Sequence, residues 1–581
     1  MSFDTEVLII GAGMSGLGVA VQIIRQYGIR NFELVEKSED VGGTWLANTY
    51  PGCGCDVASH FYSYSFALNP DWSRKYSMRS EIQAYFRSVA EQYRVVDSIR
   101  FHSIVEKAEW EDAGKVWKVT ILDLKNKEQI IKRAKILISG VGSLSVPKTC
   151  DLPGVDTFKG NMFHSAQWDH SFDWKDKDVV VLGILRIILR NGCSATQFVP
   201  IMANEPNPVK KITQFAKQAQ YLSERQNPYY SDSFKAVMRY VPLAMRIYRA
   251  KYYYDMERDW SGFGIDSGRP IRQGLAKENE EYVKRMAPPK YWNTLIPKTE
   301  IGCKRKVLDT DYLNTLWRDN VELVADDPVE KITETGVITR SGREVRADAI
   351  VLAIGFATQQ MLSPMEIVGR EGLSLNKYWN NTSQGVAQAY FGTVVPHFPN
   401  FFVLMGPNTV TGHLSVIYTV ECQINFTLRL LAPVLESLPS YRARSMVPQF
   451  LAPSPTTIEV KPEAALADSL WTQREAKKLV WASGCVNWAI DPKTGMNNMM
   501  YPDWQFLYWF RSVFWKKNDF VYRNEKTGAE VKPGKVKTLI WLATVSALVG
   551  GTFWGRDWIQ RELLTRLRGL DAKNFLKSLT A

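Results

Sequence analysis

The chain has 581 residues, of which 45% are hydrophobic and 23% charged, with a net charge of +12. Such a composition belongs to a folded globular protein and excludes disorder, collagen-like repeats and a polytopic membrane bundle; the length allows about three or four domain-sized units. The basic balance comes without a dense Lys/Arg run or a nucleic-acid motif, so no nucleic-acid partner is expected. The 7 cysteines are irregularly spaced, which argues against a disulfide framework and for a reducing, intracellular setting. No His/Cys/Asp cluster has zinc spacing, so no metal is expected. An acid at Asp4, with a strand beginning at once, leaves no signal-peptide pattern.

The first elements carry a strong pattern. Glu6-Val7-Leu8-Ile9-Ile10 reads as a strand, Gly11-Ala12-Gly13-Met14-Ser15-Gly16 as a glycine turn, and Leu17 to Ile24 as a helix. A second strand, Phe32 to Val35, ends on Glu36, about twenty residues after Gly16. In this strand–turn–helix–strand–acid order, Gly11 permits the tight turn and Gly13 lets the backbone approach a pyrophosphate. Gly16 allows close helix–strand packing. The helix N-terminus offers unpaired N–H groups to phosphates, and Glu36 can accept ribose hydroxyls. The alternative is a glycine turn that binds nothing, and the complete βαβ context argues against it.

Further along, Val41-Gly42-Gly43-Thr44-Trp45-Leu46-Ala47 forms a glycine loop able to lie against a second flat ring system, and Tyr50-Pro51-Gly52-Cys53-Gly54-Cys55-Asp56 follows it. A second glycine turn, Ser139-Gly140-Val141-Gly142, and the run Ile350 to Phe356 come later. This order resembles the flavoproteins with two dinucleotide-binding domains, in particular the flavin-dependent class B monooxygenases. Disulfide reductases share that architecture but need a cysteine pair beside the flavin, where this chain has Trp45. Cys53 and Cys55 could be a redox element or a metal site, but two such thiols are more often small buried residues.

Phe158-Lys159-Gly160-Asn161-Met162-Phe163-His164-Ser165-Ala166-Gln167-Trp168-Asp169 fits FxGxxxHxxxWD. That pattern resembles the fingerprint of type I Baeyer–Villiger monooxygenases; amine- and sulfur-oxidising relatives usually lack the Trp-Asp ending. The resemblance runs from residue 6 to about residue 525. Gly406-Pro407-Asn408, Gly412-His413 and the residues Trp481, Cys485 and Trp488 look most like fungal secondary-metabolism members. It implies FAD and NADPH as cofactors, and conversion of a hydrophobic, polycyclic or polyketide-like ketone and O2 into an ester or lactone. Arg305, in Cys303-Lys304-Arg305, is then the cation for developing negative charge, since Arg stays protonated and its planar fork can hold two oxygens. Asp56 would orient Arg305, and His164 would act as a hinge or positioning group. Flavin-binding positions implied are Gly11, Gly13, Gly16, Glu36, Lys37, Thr44, Trp45, Leu46, Ala47, Cys55, Asp56, Val57, Tyr62 and Val105. Heteroatom (N or S) oxygenation and a flavin-binding pseudoenzyme are the alternatives.

One departure stands in the second nucleotide-binding turn. The strand Asp178 to Leu182 reaches Gly183, but residues 184–190 then separate it from Asn191-Gly192-Cys193-Ser194-Ala195. Without them the text reads GNGCSA, an ordinary turn before a helix. The run is either a gene-model or splicing artefact or a real insertion that weakens NADPH binding. Gly183, Gly192, Ser194, Ala195 and Lys304 are the NADP-binding candidates, with Lys217 and Gln218 where the family reads the 2′-phosphate. Lys217 keeps the charge but loses the fork of an arginine.

The expected fold is α/β, with two Rossmann-like domains and a helical insertion. FAD-binding parts are 1–150 and 346–530, NADP-binding parts 151–222 and 301–345, and the aromatic, basic stretch 223–300 is the helical insertion, a lid or a packing element. The tail 531–581 contains an uncharged apolar run, Thr538 to Gly555, and an amphipathic stretch to Leu570. That run is borderline for a span, which takes about 20 apolar residues. The expectation is a cytoplasmic protein or one associated with a membrane through 538–570.

Overall fold

The computed structural model describes residues 3–183, 193–216, 219–442, 455–485, 487–524 and 527–531. The insertion at 184–190, Gly192, Lys217, Gln218 and the tail segment 538–570 lie outside them. Among the described residues no helix is long and apolar enough to cross a membrane.

The first half is built on β1 (Thr5–Ile10), α1 (Met14–Tyr27) and β2 (Phe32–Val35). β1 is buried along its whole length because it lies inside a parallel sheet, between β2 and the strand Gln129–Ser139. An unbroken apolar run is what such a strand needs. Gln129–Ser139 does double duty. Its first half pairs antiparallel with Val116–Asp123, and its second half pairs parallel with Phe401–Val403. The long helix Val416–Leu435 packs on α1. Close approach is possible because residue 18 is glycine: a Cβ there would sit 2.8 Å from Ile424 Cδ1.

The second half is an all-parallel sheet of five strands, in the order Val321–Val324, Lys211–Phe215, Asp178–Leu182, Ala349–Leu352, Asn161–His164. This corrects one boundary. Ala349–Leu352 falls by sequence into the FAD-binding part from 346, yet it runs between two strands of the NADP-side sheet. Its four buried residues are as apolar as those of β1, so composition cannot assign it to one sheet or the other. The stretch 223–300 is helical, with Asp232–Tyr240, Ala244–Glu257 and Arg269–Met286 as its main elements.

The helical insertion is latched to the first half. Arg249 Nη1 donates to the carbonyl of Ser63 (3.0 Å) and to Ser63 Oγ (2.9 Å) as well as to the carbonyl of His60. The His60 ring lies among Tyr230, Phe234 and Tyr248, at centroid distances of 5.5, 5.7 and 5.3 Å. Burial, with Arg249 nearby as the second cause, depresses the His60 imidazole from 6.5 to about 4. The folded protein therefore binds fewer protons than the unfolded chain between those values. The stability His60 contributes is fully present above pH 6.5 and is lost as pH falls toward 4.

Two predictions follow from this packing. Chemical denaturation as a function of pH should show stability falling on the order of 3 kcal/mol across that window, and His60→Gln should flatten the fall. At the first turn, a Cβ on residue 16 would sit 1.8 Å from the Gly11 carbonyl oxygen, a backbone clash that nothing can relieve. Gly16→Ala should destabilise the protein by about 1–3 kcal/mol and strip it of flavin, read as the ratio of visible to ultraviolet absorbance.

Candidate active site

Three glycine segments meet at the carboxyl end of β1. Gly11 has φ +93°, and a Cβ there would lie 2.9 Å from the Gly140 carbonyl oxygen. Gly43 backs onto the same turn, where a Cβ would lie 2.9 Å from Gly13 Cα. The Gly42 N–H donates to the Ala12 carbonyl at 3.2 Å, and the Gly140 N–H to the Ile10 carbonyl at 2.7 Å. No side chain caps α1, so its first N–H groups stay available to an anion. Glu36, buried at the end of β2, accepts from the Ala12 N–H at 2.7 Å and the Ser38 N–H at 2.9 Å. Both bonds hold its carboxylate at the rim of the turn. Such a side-chain-free cradle, with an acid fixed beside it, fits an adenine dinucleotide with its pyrophosphate over α1 and its ribose at Glu36.

The other flavin candidates extend the cradle. Trp45 is buried, and its Nε1–H donates to the Tyr62 hydroxyl at 3.1 Å. Thr44, Leu46 and Ala47 line the same short helix, Thr44–Ala47, with at least part of each side chain accessible. Lys37 is exposed and its Nζ donates to the Ser145 carbonyl at 3.3 Å. Val57 and Val105 are buried. Cys53 and Cys55 are free buried thiols, and burial pushes them up to about 11 and about 12. Neither is a ready thiolate, which removes the redox reading.

Asp56 sits where the two halves of the molecule touch. Burial raises its carboxyl above the ordinary aspartate value, and Arg305 and then Arg225 pull it back. Oδ1 is buried without a hydrogen-bond partner. The loop before it is braced by the helix Ala195–Ala203. There Gln197 accepts from the Tyr50 hydroxyl at 2.8 Å and donates to the Gly54 carbonyl at 3.1 Å. A Cβ on Gly52 would lie 2.6 Å from the Gln197 carbonyl oxygen. Ala195 is buried at the start of that helix, and Ser194 Oγ lies 3.1 Å from Ser165 Oγ. Gly183 closes the strand Asp178–Leu182, its N–H donating to the Phe215 carbonyl at 3.0 Å.

Arg305 lies between Asp56 and a pocket lined by Thr411, Trp481, Asn487, Trp488 and Met500, among others. Among the described residues nothing hydrogen-bonds its guanidinium, while Lys304 Nζ donates to the Ala219 carbonyl at 3.2 Å. Cys303 and Cys485 form a disulfide with Cα atoms 6.4 Å apart. The cysteines still form no framework, but sequence spacing gave no hint of this pair. Its partners are 182 positions apart and meet only because the Arg305 loop packs against the segment carrying Trp481 and Trp488.

The fingerprint between the domains acts mainly through packing. Trp168 is buried, with its ring 5.1 Å from Phe163 and 5.2 Å from Phe198. Asp169 is an exposed turn acid that accepts from the Ser171 N–H at 2.9 Å. His164 accepts at Nδ1 from the Ala166 N–H (3.0 Å), which leaves its hydrogen on Nε2 to donate to the Gly355 carbonyl (3.1 Å). Burial holds its imidazole below the ordinary histidine value. Both ring nitrogens are used, and His164 thereby ties the end of its own strand to the Gly355 carbonyl.

Two features escaped the sequence. Arg225, a lone arginine in a polar loop, faces Asp56. His413 and Glu257 form a buried pair at 3.1 Å that joins the helical insertion to the flavin side. His413 lies in a segment that carries the resemblance, but neither its pairing with Glu257 nor the approach of Arg225 to Asp56 follows from sequence spacing; only the fold brings these partners together.

The family profile described as flavin-binding monooxygenase-like matches residues 4–188. A Baeyer–Villiger monooxygenase of Pseudomonas aeruginosa is 33% identical over 506 residues, which is 86% of this chain and 88% of that protein. The FAD-binding monooxygenase ktnD of Aspergillus niger is 35% identical over 442 residues, 74% of this chain and 69% of that one. Among solved structures, an oxidised steroid monooxygenase bound to NADP superposes with a TM-score of 0.71 at 26% identity, covering 89% of this chain and 99% of that one. The chain belongs to the Baeyer–Villiger monooxygenases of the flavin-binding monooxygenase-like family, enzymes that use FAD and NADPH.

Proposed function

We propose that this enzyme oxygenates a hydrophobic ketone, polycyclic or polyketide-like, to an ester or lactone in secondary metabolism. The observation that carries the reading is Arg305, set between the buried Asp56 and a pocket walled by Trp481, Trp488 and Met500. The recess as it stands has a volume of about 10 Å³, room for a single water, so a hydrophobic skeleton enters only when the aromatic wall opens, and one cation beside it suits a single carbonyl. The fungal relative and the segments around Gly412-His413 and Cys485 support the metabolic setting.

FAD, when bound, supplies redox chemistry and oxygen activation, and NADPH supplies the hydride. The chain's own residues bind and orient. Gly11, Gly13 and Gly43 leave room for the pyrophosphate, and Glu36 holds the ribose. The Arg305 fork neutralises the negative charge that builds on the former carbonyl oxygen, and the charge of Asp56 draws the guanidinium toward it. Trp481 and Trp488 keep water from that charge, which strengthens the Arg305 interaction. No nucleophilic side chain is required.

Purified protein incubated with NADPH, O2 and a panel of polycyclic ketones should give products heavier by one oxygen atom, identified as esters or lactones by mass spectrometry and NMR. Arg305→Ala should lower product formation by about 10²–10³-fold with FAD loading unchanged. Arg305→Lys should fall between, since it keeps the charge and loses the fork. Oxygenation of amines or sulfides with ketones untouched would replace this reading by the heteroatom one. Failure of NADPH to reduce the bound FAD anaerobically would leave a pseudoenzyme.

A further inference from the structure

We propose that Arg225 is a second positioning residue for Asp56. It fastens the Asp56 loop to the NADP-binding half and supplies, together with Arg305, the positive charge that this buried carboxylate requires. The proposal rests on the reading above only in taking Asp56 as part of the active site.

Arg225 follows the short strand Leu222–Glu224, which runs parallel to Val307–Asp309, the strand entered directly after Arg305 and Lys306. The two arginines thus flank one small ladder and converge on one carboxylate. Arg225 Nη2 donates to the carbonyl of Cys55, the residue before Asp56, at 3.2 Å, and reaches the Tyr76 carbonyl at 3.5 Å. Its guanidinium carbon lies 5.6 Å from the centre of the Tyr76 ring. Space for it comes from glycine: a Cβ on Gly54 would sit 3.3 Å from Arg225 Nη2. Asn227 secures the same stretch, accepting from the Tyr76 N–H at 2.8 Å and donating to the Tyr76 carbonyl at 2.9 Å.

Two buried polar atoms in this junction lack partners, Asp56 Oδ1 and Arg225 Nε. An unpaired acceptor and an unpaired donor on facing groups are costly to bury. They mark a place where a small motion, or a ligand amide or water, completes the set.

The charge balance also favours a second cation. A carboxylate at this depth needs compensation. If Arg305 turns to a substrate oxygen, Asp56 is left alone unless another guanidinium remains. The titratable or charged groups facing Asp56 are Arg305, Arg225, Tyr50, Tyr76, Cys55 and Cys193. Arg74 faces Arg225 from the other side. Both tyrosines and both thiols lie above their ordinary values. In the acid-to-neutral range Asp56 is therefore the member of this set that changes charge.

The test compares wild type with Arg225→Gln, Arg225→Lys and Asp56→Asn. Gln can still donate to the Cys55 carbonyl but carries no charge. FAD loading, the pH dependence of the visible band of the bound oxidised flavin, and the pH dependence of anaerobic flavin reduction by NADPH are measured between pH 5 and 9. Arg225→Gln should keep its flavin while the acid limb of both profiles moves to higher pH. Its reduction rate at the acid end should fall about tenfold relative to its own plateau. Arg225→Lys should restore the limb to near its wild-type position, and Asp56→Asn should abolish it. An Arg225→Gln profile that superimposes on wild type overturns the proposal, as does an acid limb that survives in Asp56→Asn. Should Arg225→Gln not load FAD, Arg225→Lys decides: a limb near the wild-type position supports the charge role, and a displaced one overturns it. None of these measurements uses a ketone, so a failed search for substrate leaves them intact.

Discussion

The site depends on keeping one carboxylate ionised in a place that water hardly reaches. Burying an unpaired carboxylate costs several kcal/mol even after relaxation, and Asp56, a partly buried residue, has one oxygen shielded and free of any hydrogen bond. The compensation comes from chain segments far apart in sequence: Arg305 from one loop and Arg225 from another, with Gln197 bracing the loop that carries Asp56. None of the three belongs to the first nucleotide-binding half. The Asp56 loop is therefore held in place by contacts that exist only when both halves are folded and in touch.

The disulfide extends that logic to the substrate side. Cys303 stands two residues before Arg305, and Cys485 lies between the two tryptophans of the pocket wall. Asn487 reinforces the join, donating to the Trp481 carbonyl at 2.9 Å. The loop that carries Arg305 and the segment that carries the wall are thus covalently joined.

Much of this was legible in the sequence because the relevant constraints are local. Gly11, Gly13, Gly16 and Glu36 sit at a spacing that one strand, one turn and one helix enforce, and backbone space around a pyrophosphate tolerates few other residues. The FxGxxxHxxxWD segment was legible for the same reason: His164 bonds within two residues of itself and to one strand end. Illegible were the features set by long-range packing. Ala349–Leu352 has no residue that says which sheet it joins. Arg225, the Cys303–Cys485 pair and His413–Glu257 are ordinary residues until the chain brings their partners together. The helical stretch 223–300 could be read as helical from its pattern, but not its latch, because Arg249 binds backbone carbonyls, and any loop can offer those.

The same distinction bears on residues 184–190. A run inserted into a phosphate-binding turn would be fatal if the following helix depended on the turn for its place. Here the helix Ala195–Ala203 has anchors of its own. Ser194 meets Ser165, Gln197 holds Tyr50 and Gly54, and Phe198 packs on Trp168. On the other side, Gly183 is tied to Phe215 and ends a strand fixed by two parallel neighbours. Both flanks of the run are held by contacts to other parts of the described chain. The sheet, the helix and the bracing of Asp56 each rest on contacts among residues outside that run. Among the described residues, the second nucleotide-binding half is joined to the first through the Asp56 loop, where Gln197 holds Tyr50 and Gly54.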